Sequence, residues 1–442
     1  MKRRQFIQTA SASAFAFNFF PSKVFGANER LHIAGVGVGG KGSGDMDQAG
    51  FFGDVVALCD IDDHSLNAKG DRFPQARKFN DFREMFDAMG DSIDAVTVST
   101  PDHTHAPAAL LAMRRGKHVY CQKPLAHTVY ETRLMRDTAR EMKVVTQMGN
   151  QGCAEHGLRR AVEIIRAGAI GPIREVHVWT DRPIWPQAPE IVARPSDRPP
   201  VPDYLHWDLF LGPAPQRPYH GAYHPFKWRG WWDFGTGALG DMGCHTMNLP
   251  FMALKLKHPV SVKANSGPLN PETYPAWATI EYEFGARGEM PPVQLFWYEG
   301  TLSNGQKNRP AVECFKGENP SGSGCLLLGE KGVLYSPSEI GAVYKLLPHG
   351  LFQEYSGPEP YLPRNGKGDL GMKEEWIAAI KGGPRPMSNF DYAAALTETV
   401  LLGNVAVRLR KKMQWDGDNL RSPDCPEAGP LIRKIHRAGW DI

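Results

Sequence analysis

Leu31-His32-Ile33-Ala34-Gly35-Val36-Gly37-Val38-Gly39-Gly40 is the stretch on which the fold turns. A short apolar run, Leu31 to Val36, ends in a glycine turn, and a second run, Val55 to Leu58, ends at Cys59-Asp60. In a chain with 46 glycines, the spacing Gly35-x-Gly37-x-x-Gly40 alone says little. Set between a strand and a helix, with an acidic residue closing the next strand, it predicts a dinucleotide-binding turn. On this reading Gly35 allows the tight turn, Gly37 lets the backbone approach a pyrophosphate, and Gly40 permits close helix packing. The helix N-terminus turns its N–H groups to the phosphates. Asp60 would accept hydrogen bonds from the adenosine ribose of NAD and repel the 2'-phosphate of NADP, favouring NAD.

The alternation continues through Ile93 to Val98, His118 to Cys121 and Val144 to Met148, apolar runs separated by helical stretches. Such βαβ spacing predicts a doubly wound parallel sheet over residues 31–150. After Asn150 the texture changes, and residues 151–442 form the remainder. Leu158, Ala161, Val162 and Ile165 mark an amphipathic helix. Ile173 to Trp179 reads as a strand, and Trp277 to Phe284 alternates apolar with polar residues, as a sheet with one wet face requires. Leu326 to Leu328 and Val333 to Tyr335 flank a hairpin turn, and helices at 369–381 and 391–412 finish the chain.

With 442 residues, 42% of them hydrophobic and 22% charged, the chain supports two or three globular domains and is not disordered. It has no run of the ~18 apolar residues that a membrane helix needs, so no stable membrane insertion is expected. Of 51 Lys and Arg residues, Lys2, Arg3, Arg4 and Lys23 lie in the first 27, leaving 47 against 48 acidic residues. That balance argues against a nucleic-acid partner. Residues 1–27, with Arg3-Arg4, an apolar stretch from Thr9 to Phe20 and the small pair Gly26-Ala27, resemble a twin-arginine export signal, which implies a periplasmic protein. The seven cysteines are scattered without a CxxC, so neither a disulfide framework nor a zinc site is expected; a Cys314–Cys325 pair stays open.

Chemistry-bearing residues fall at the ends of the later strands. Thr100-Pro101-Asp102-His103-Thr104-His105 and Gln122-Lys123-Pro124 should face the cofactor crevice. A Lys123 ammonium beside a nicotinamide could hold a developing oxyanion; a zinc reading of His103 and His105 is the weaker alternative. Far downstream, in Gly235-Thr236-Gly237-Ala238-Leu239-Gly240-Asp241-Met242-Gly243-Cys244-His245, a helix would put Asp241 and His245 at i and i+4 on one face, a pair suited to proton transfer. Between Asp181 and Phe234 the 54 residues hold eleven prolines and eleven aromatics, a composition that suits the wall or cover of a cleft.

In that order, the glycine turn, the Thr-Pro-x-x-x-His stretch, the Lys-Pro turn and the Asp-x-x-x-His helix resemble the Gfo/Idh/MocA oxidoreductases. The resemblance implies a Rossmann domain followed by a larger, open, mainly antiparallel sheet. It also implies a nicotinamide cofactor, carbohydrate or polyol substrates, and dimers or tetramers built on the open sheet. Carried over, Lys123, Asp241 and His245 become the catalytic set; Gly35, Gly37, Gly40, Asp60, Thr100, Pro101, His105, Gln122 and Lys123 would surround the cofactor. Trp207, His220, His224, Arg229, Trp231 and Trp232 would contact the sugar, and no metal is implied. Two departures stand out: Gln122 replaces the usual glutamate before the lysine, removing a carboxylate, and Asn248 stands where an Asp often follows the histidine. The expected activity is hydride removal from a secondary carbinol of a sugar, glycoside or polyol. A redox glycosidase resembling family 109 with no net redox change, a non-catalytic sugar or nucleotide sensor, and a structural scaffold are the rival readings.

Overall fold

The computed structural model describes residues 30–442; the export-signal reading of residues 1–27 lies outside them. Six parallel strands make the first sheet: β1 (Leu31–Val36), β2 (Gly53–Cys59), β3 (Arg77–Phe79), β4 (Ala95–Val98), β5 (His118–Cys121) and β6 (Thr146–Met148). Their order is β3-β2-β1-β4-β5-β6, so the direction of winding reverses between β1 and β4. The reversal splays the two flanking connections apart and opens a crevice at the carboxyl ends of the strands. All five apolar runs read from the sequence are strands. β3 is the addition, an edge strand whose Arg77 and Lys78 are exposed and which therefore carries no apolar signature.

The second sheet holds β7 (Ile173–Thr180), β8 (Ser261–Ser266), β9 (Trp277–Phe284), β10 (Val293–Gly300), β11 (Ser323–Gly329), β12 (Val333–Ser336), β13 (Lys345–Leu347) and β14 (Met413–Gln414). Its order is β13-β12-β11-β7-β10-β9-β8-β14, antiparallel except where β7 and β10 run parallel. On β9, Ala278, Ile280, Tyr282 and Phe284 are buried while Thr279, Glu281 and Glu283 are partly exposed. The expected hairpin is present, with Leu328 opposite Val333.

The inner face of this sheet is covered by helices Gly237–Thr246 and Phe390–Leu409. The longer one also lies along helix Val129–Glu141 of the first domain, joined by a buried Arg133–Glu398 pair at 2.5 Å. Helix Gly368–Ile380 likewise returns to the first domain, where Lys373 meets Asp45 at 2.6 Å with both side chains fully buried. Burying that pair costs solvation, which Ser99, Gln122 and Lys41 on Asp45, and Asp369 and Tyr120 on Lys373, offset by hydrogen bonding. The late helices thus tie the two sheets together.

The aromatic segment forms a small core of its own. Phe210, Tyr223, Trp228, Trp231 and Phe234 pack together, and the buried Arg217 guanidinium lies over Tyr223, Trp231 and Phe234 while pairing with Asp233. All seven cysteines are free thiols.

Candidate functional site

The glycine turn crosses the carboxyl ends of β1 and β4. Gly37 has φ +77°, and a Cβ there would stand 2.8 Å from the Ser99 carbonyl. The close helix packing expected of Gly40 belongs to Gly42, where a Cβ would meet the Gly37 oxygen at 2.0 Å. Gly40 is needed for its left-handed φ of +48°, and nothing lies within 4 Å of where its Cβ would be. Asp60 Oδ2 accepts from the Val38 and Gly39 N–H groups at 2.7 and 3.0 Å, and Oδ1 from Asp62 N at 3.0 Å. Burial raises the Asp60 pKa and these bonds oppose it. Asp60 therefore pins the turn, a role additional to the expected ribose contact, for which spare lone pairs remain. Helix Gly40–Gly50 has no side-chain cap at its N-terminus and nothing lies within 4 Å of a Cβ on Gly40, so a pyrophosphate fits at this end of the helix.

Thr100 and Pro101 follow β4 beside Gly37. His105 is buried with Nδ1 on the Pro124 carbonyl and Nε2 on the Thr100 carbonyl, each at 2.8 Å, so its ring clamps the ends of β4 and β5 and offers no nitrogen to a cofactor. His103 similarly holds the carbonyls of Phe210 and Phe234. All four ring nitrogens face backbone carbonyls at 2.8 to 3.2 Å, and no metal-binding cluster occurs among the described residues.

Lys123 crosses from β5 to the second domain. Its ammonium donates to the Asp241 carbonyl at 2.5 Å and to Asp241 Oδ1 at 3.0 Å. Arg229 Nε stands 3.4 Å from the same oxygen. Burial alone would raise the Asp241 pKa, but Lys123 and Arg229 hold it down at about 2. His245, one helical turn on, is buried with no hydrogen-bond partner for Nδ1. Burial, then Lys123, push its pKa to about 3, with Asp241 opposing, so the ring is neutral at physiological pH. The arrangement couples a fixed cation and a fixed anion to a neutral proton acceptor.

Gln122 Nε2 donates to Asp45 Oδ2 at 2.7 Å. The carboxylate that Gln122 was expected to remove is therefore present one side chain away, neutralised by Lys373 and Lys41. Asn248 is fully buried, accepting from Tyr392 Oη and donating to Cys153 Sγ.

Among the six residues expected to touch sugar, Arg229 alone meets Asp241. Trp231 is fully buried with its indole N–H on the Ala222 carbonyl, and Trp232 packs on Tyr274 with Arg408 over its ring. Trp207 stacks on Phe210 and Tyr223; His220 approaches Asp197 and His224 approaches Asp62. Sequence reasoning missed Asp102, whose Oδ2 accepts from Thr236 N at 3.0 Å and Thr236 Oγ1 at 2.5 Å, and the Asp45–Lys373 pair. Lys41/Asp45 and Asp369/Lys373 are i,i+4 pairs, a pattern that in sequence signals an exposed helix face.

Fold and site together define a two-domain, nucleotide-binding oxidoreductase architecture. Residues 30–150 match the family model described as "Oxidoreductase family, NAD-binding Rossmann fold", and residues 192–290 match "Oxidoreductase family, C-terminal alpha/beta domain". Both are models of the Gfo/Idh/MocA oxidoreductases, the family that the sequence motifs resemble. Among curated relatives, it is 33% identical to a levoglucosan dehydrogenase of Pseudarthrobacter phenanthrenivorans over 102 residues, 23% of this chain. That match spans 26% of the relative's length, about a quarter. Among solved structures, the WlbA dehydrogenase of Bordetella pertussis, in complex with NADH and UDP-GlcNAcA, superposes with a TM-score of 0.62 at 17% identity, covering 88% of this chain and 99% of that one. An aldose-aldose oxidoreductase from Caulobacter crescentus, complexed with glycerol, gives 0.58 at 19% identity, covering 88% and 100%. At these identities the likeness is one of fold.

Proposed function

We propose that the protein is an NAD-dependent oxidoreductase acting on a secondary hydroxyl of a sugar, glycoside or polyol. The observation that carries this reading is the Lys123–Asp241 contact across the two domains, with the unpartnered Nδ1 of His245 one turn along the same helix. Bound NAD supplies the acceptor for the hydride that leaves the substrate carbon. Of the three Lys123 N–H donors, two go to Asp241, and the third is available to the substrate oxygen. Neutral His245 accepts the hydroxyl proton, and ionised Asp241 stabilises the imidazolium that forms. Arg229, held at Asp241, is the side chain of the aromatic segment placed to reach a substrate hydroxyl. The substrate class is supported by the sugar and sugar-nucleotide names among the relatives.

Asp60 and its neighbours Ile61, Asp62 and Asp63 offer no cation to a 2'-phosphate, which favours NAD over NADP. The twin-arginine reading of residues 1–27 supports export to the periplasm. There a released nucleotide would be lost, so the cofactor is retained and reoxidised in place by a second carbonyl substrate or by the same sugar. The partly exposed outer face of the second sheet supports a dimer or tetramer assembled on it.

Purification without added nucleotide, denaturation and identification of what is released tests this directly. Recovery of NAD or NADH, and reduction of that bound pool by a sugar, glycoside or polyol, is the expected result. An empty protein that turns over only with soluble NADP overturns both the retention and the cofactor preference. Release of free sugar from an aryl glycoside without net NADH would reassign the site to a redox glycosidase.

A further inference from the structure

A second cluster of cations lies behind the turn that starts the Asp241/His245 helix. Helix Phe390–Leu409 contributes Arg408 and Asn404, the C-terminal segment contributes Lys434, and His127, Trp232 and Tyr274 complete a small pocket open to solvent. The Lys434 ammonium donates to the Trp232 carbonyl at 3.1 Å and to His127 Nδ1 at 3.4 Å, leaving one N–H unused. Arg408 lies 4.9 Å from the Trp232 ring and has no hydrogen bond or ion pair among the described residues. Among the described residues, neither cation has a carboxylate within ion-pairing distance.

The nearest carboxylates are already engaged. Asp233 pairs with Arg217, and Glu131 accepts from His436 and from the His127 and Thr128 N–H groups. Burial lowers the Lys434 pKa to about 8, with Asp233 and Glu131 opposing and Arg408 adding to it. An ammonium so placed is under-compensated, and an anion would relieve it. The rings of Trp232 and Tyr274, tilted by 36° with 3.7 Å between centroids, give the pocket an apolar wall.

The pocket also grips the catalytic helix. His127 Nε2 and Tyr274 OH both donate to the Gly235 carbonyl, at 3.1 and 3.0 Å, and Asn404 Nδ2 donates to the Thr236 carbonyl at 2.8 Å. Three pocket side chains thus hold the two residues immediately before helix Gly237–Thr246. We propose that Lys434 and Arg408 form an effector site for a small carboxylate or phosphate anion, whose binding rigidifies the Gly235–Thr236 turn and the helix that carries Asp241 and His245.

Calorimetry on the NAD-saturated protein tests this, since saturation blocks the glycine turn as a competing phosphate site. Inorganic phosphate and benzoate, titrated separately, distinguish the two anion sources. Binding of at least one, weakened about tenfold or more in both Lys434→Met and Arg408→Gln, is the expected result for charge-assisted hydrogen bonds. Arg408 is exposed, so its variant keeps the test alive if Lys434→Met fails to fold. With the probe bound, amide exchange across residues 235–246 should slow. Absence of binding at millimolar probe, undiminished binding by the variants, or binding that leaves exchange unchanged each overturns the proposal. None of these readouts depends on turnover, so the result stands apart from the substrate assignment.

Discussion

Two glycine-rich turns open helices onto the same crevice, and they are built alike. Gly35–Gly40 leads into helix Gly40–Gly50 and is pinned by Asp60 from the end of β2; Gly235–Gly237 leads into helix Gly237–Thr246 and is pinned by Asp102 after β4. They differ in what surrounds the glycines. A Cβ on Gly40 would meet nothing within 4 Å, whereas one on Gly240 would meet Thr236 Oγ1 at 1.7 Å and one on Gly243 would meet Val400 at 2.9 Å. The first turn leaves space for a ligand to reach backbone N–H groups. The second fills its space with protein and carries its chemistry on the side chains Asp241 and His245. Similar local sequence thus serves backbone recognition in one place and side-chain placement in the other.

The sharpest way to break this division is Lys123→Met. Because Lys123 belongs to the side-chain half, turnover should fall by roughly 10²- to 10⁴-fold. Nucleotide affinity, measured by NADH fluorescence, should stay unchanged. A variant that loses NAD binding to the same extent would show that the two turns do not act separately.

Acid should loosen the second turn before the first. In the folded state His245 sits at about 3 and His103, packed against the Phe234 ring, at about 4, both lowered mainly by burial. Their unfolded values are about 6.5, so the unfolded chain binds more protons below that pH. The stability these residues contribute is complete above pH ~6.5 and is lost toward pH ~4, by up to about 1.4 kcal/mol per pH unit for each histidine. Asp60 has the opposite sign, because burial raises its pKa and protonation relieves the cost. Amide exchange, corrected for its intrinsic pH dependence, should lose protection over residues 234–246 across that interval and keep it over residues 37–50.

Exchanging the pins should give crossed phenotypes. Asp60→Ala frees the Val38 and Gly39 N–H groups and should weaken NAD binding by about tenfold with a smaller change in turnover. Asp102→Ala leaves the buried Thr236 N–H unpaired and should cost about 1–3 kcal/mol in urea unfolding, lowering turnover while nucleotide affinity holds. Equal effects of both changes on NAD affinity would dissolve the comparison.

The smallest contrast is between single methyl groups. Gly243→Ala overpacks helix Gly237–Thr246 against Val400 and Leu239 and should cost about 1–3 kcal/mol. Gly40→Ala meets no atoms and should cost only the ~1 kcal/mol of a left-handed backbone, with its larger effect on NAD binding. Urea midpoints of the two variants, beside NAD titrations, check both.

Much of this molecule was legible in residue order. Apolar runs punctuated by glycine and proline identify β1, β2, β4, β5 and β6, because strands buried on both faces must be apolar throughout. The period-2 pattern of β9 and the i,i+4 spacing of Asp241 and His245 are local properties that backbone geometry imposes on any chain. The rest depended on partners distant in sequence. Whether Trp231 lines a cleft or fills a core follows from Tyr223 and the Arg217 guanidinium, which close over its ring. Whether Gln122 lacks a carboxylate neighbour follows from Asp45, 77 positions earlier in the chain. Lys373 reads as a surface residue until helix Gly368–Ile380 folds back onto the first domain and buries it against Asp45. Backbone periodicity is written in neighbouring residues, whereas burial, charge compensation and pKa are sums over everything that packs nearby; that is why the sequence determined the elements and the tertiary structure alone decided which side chains face the crevice.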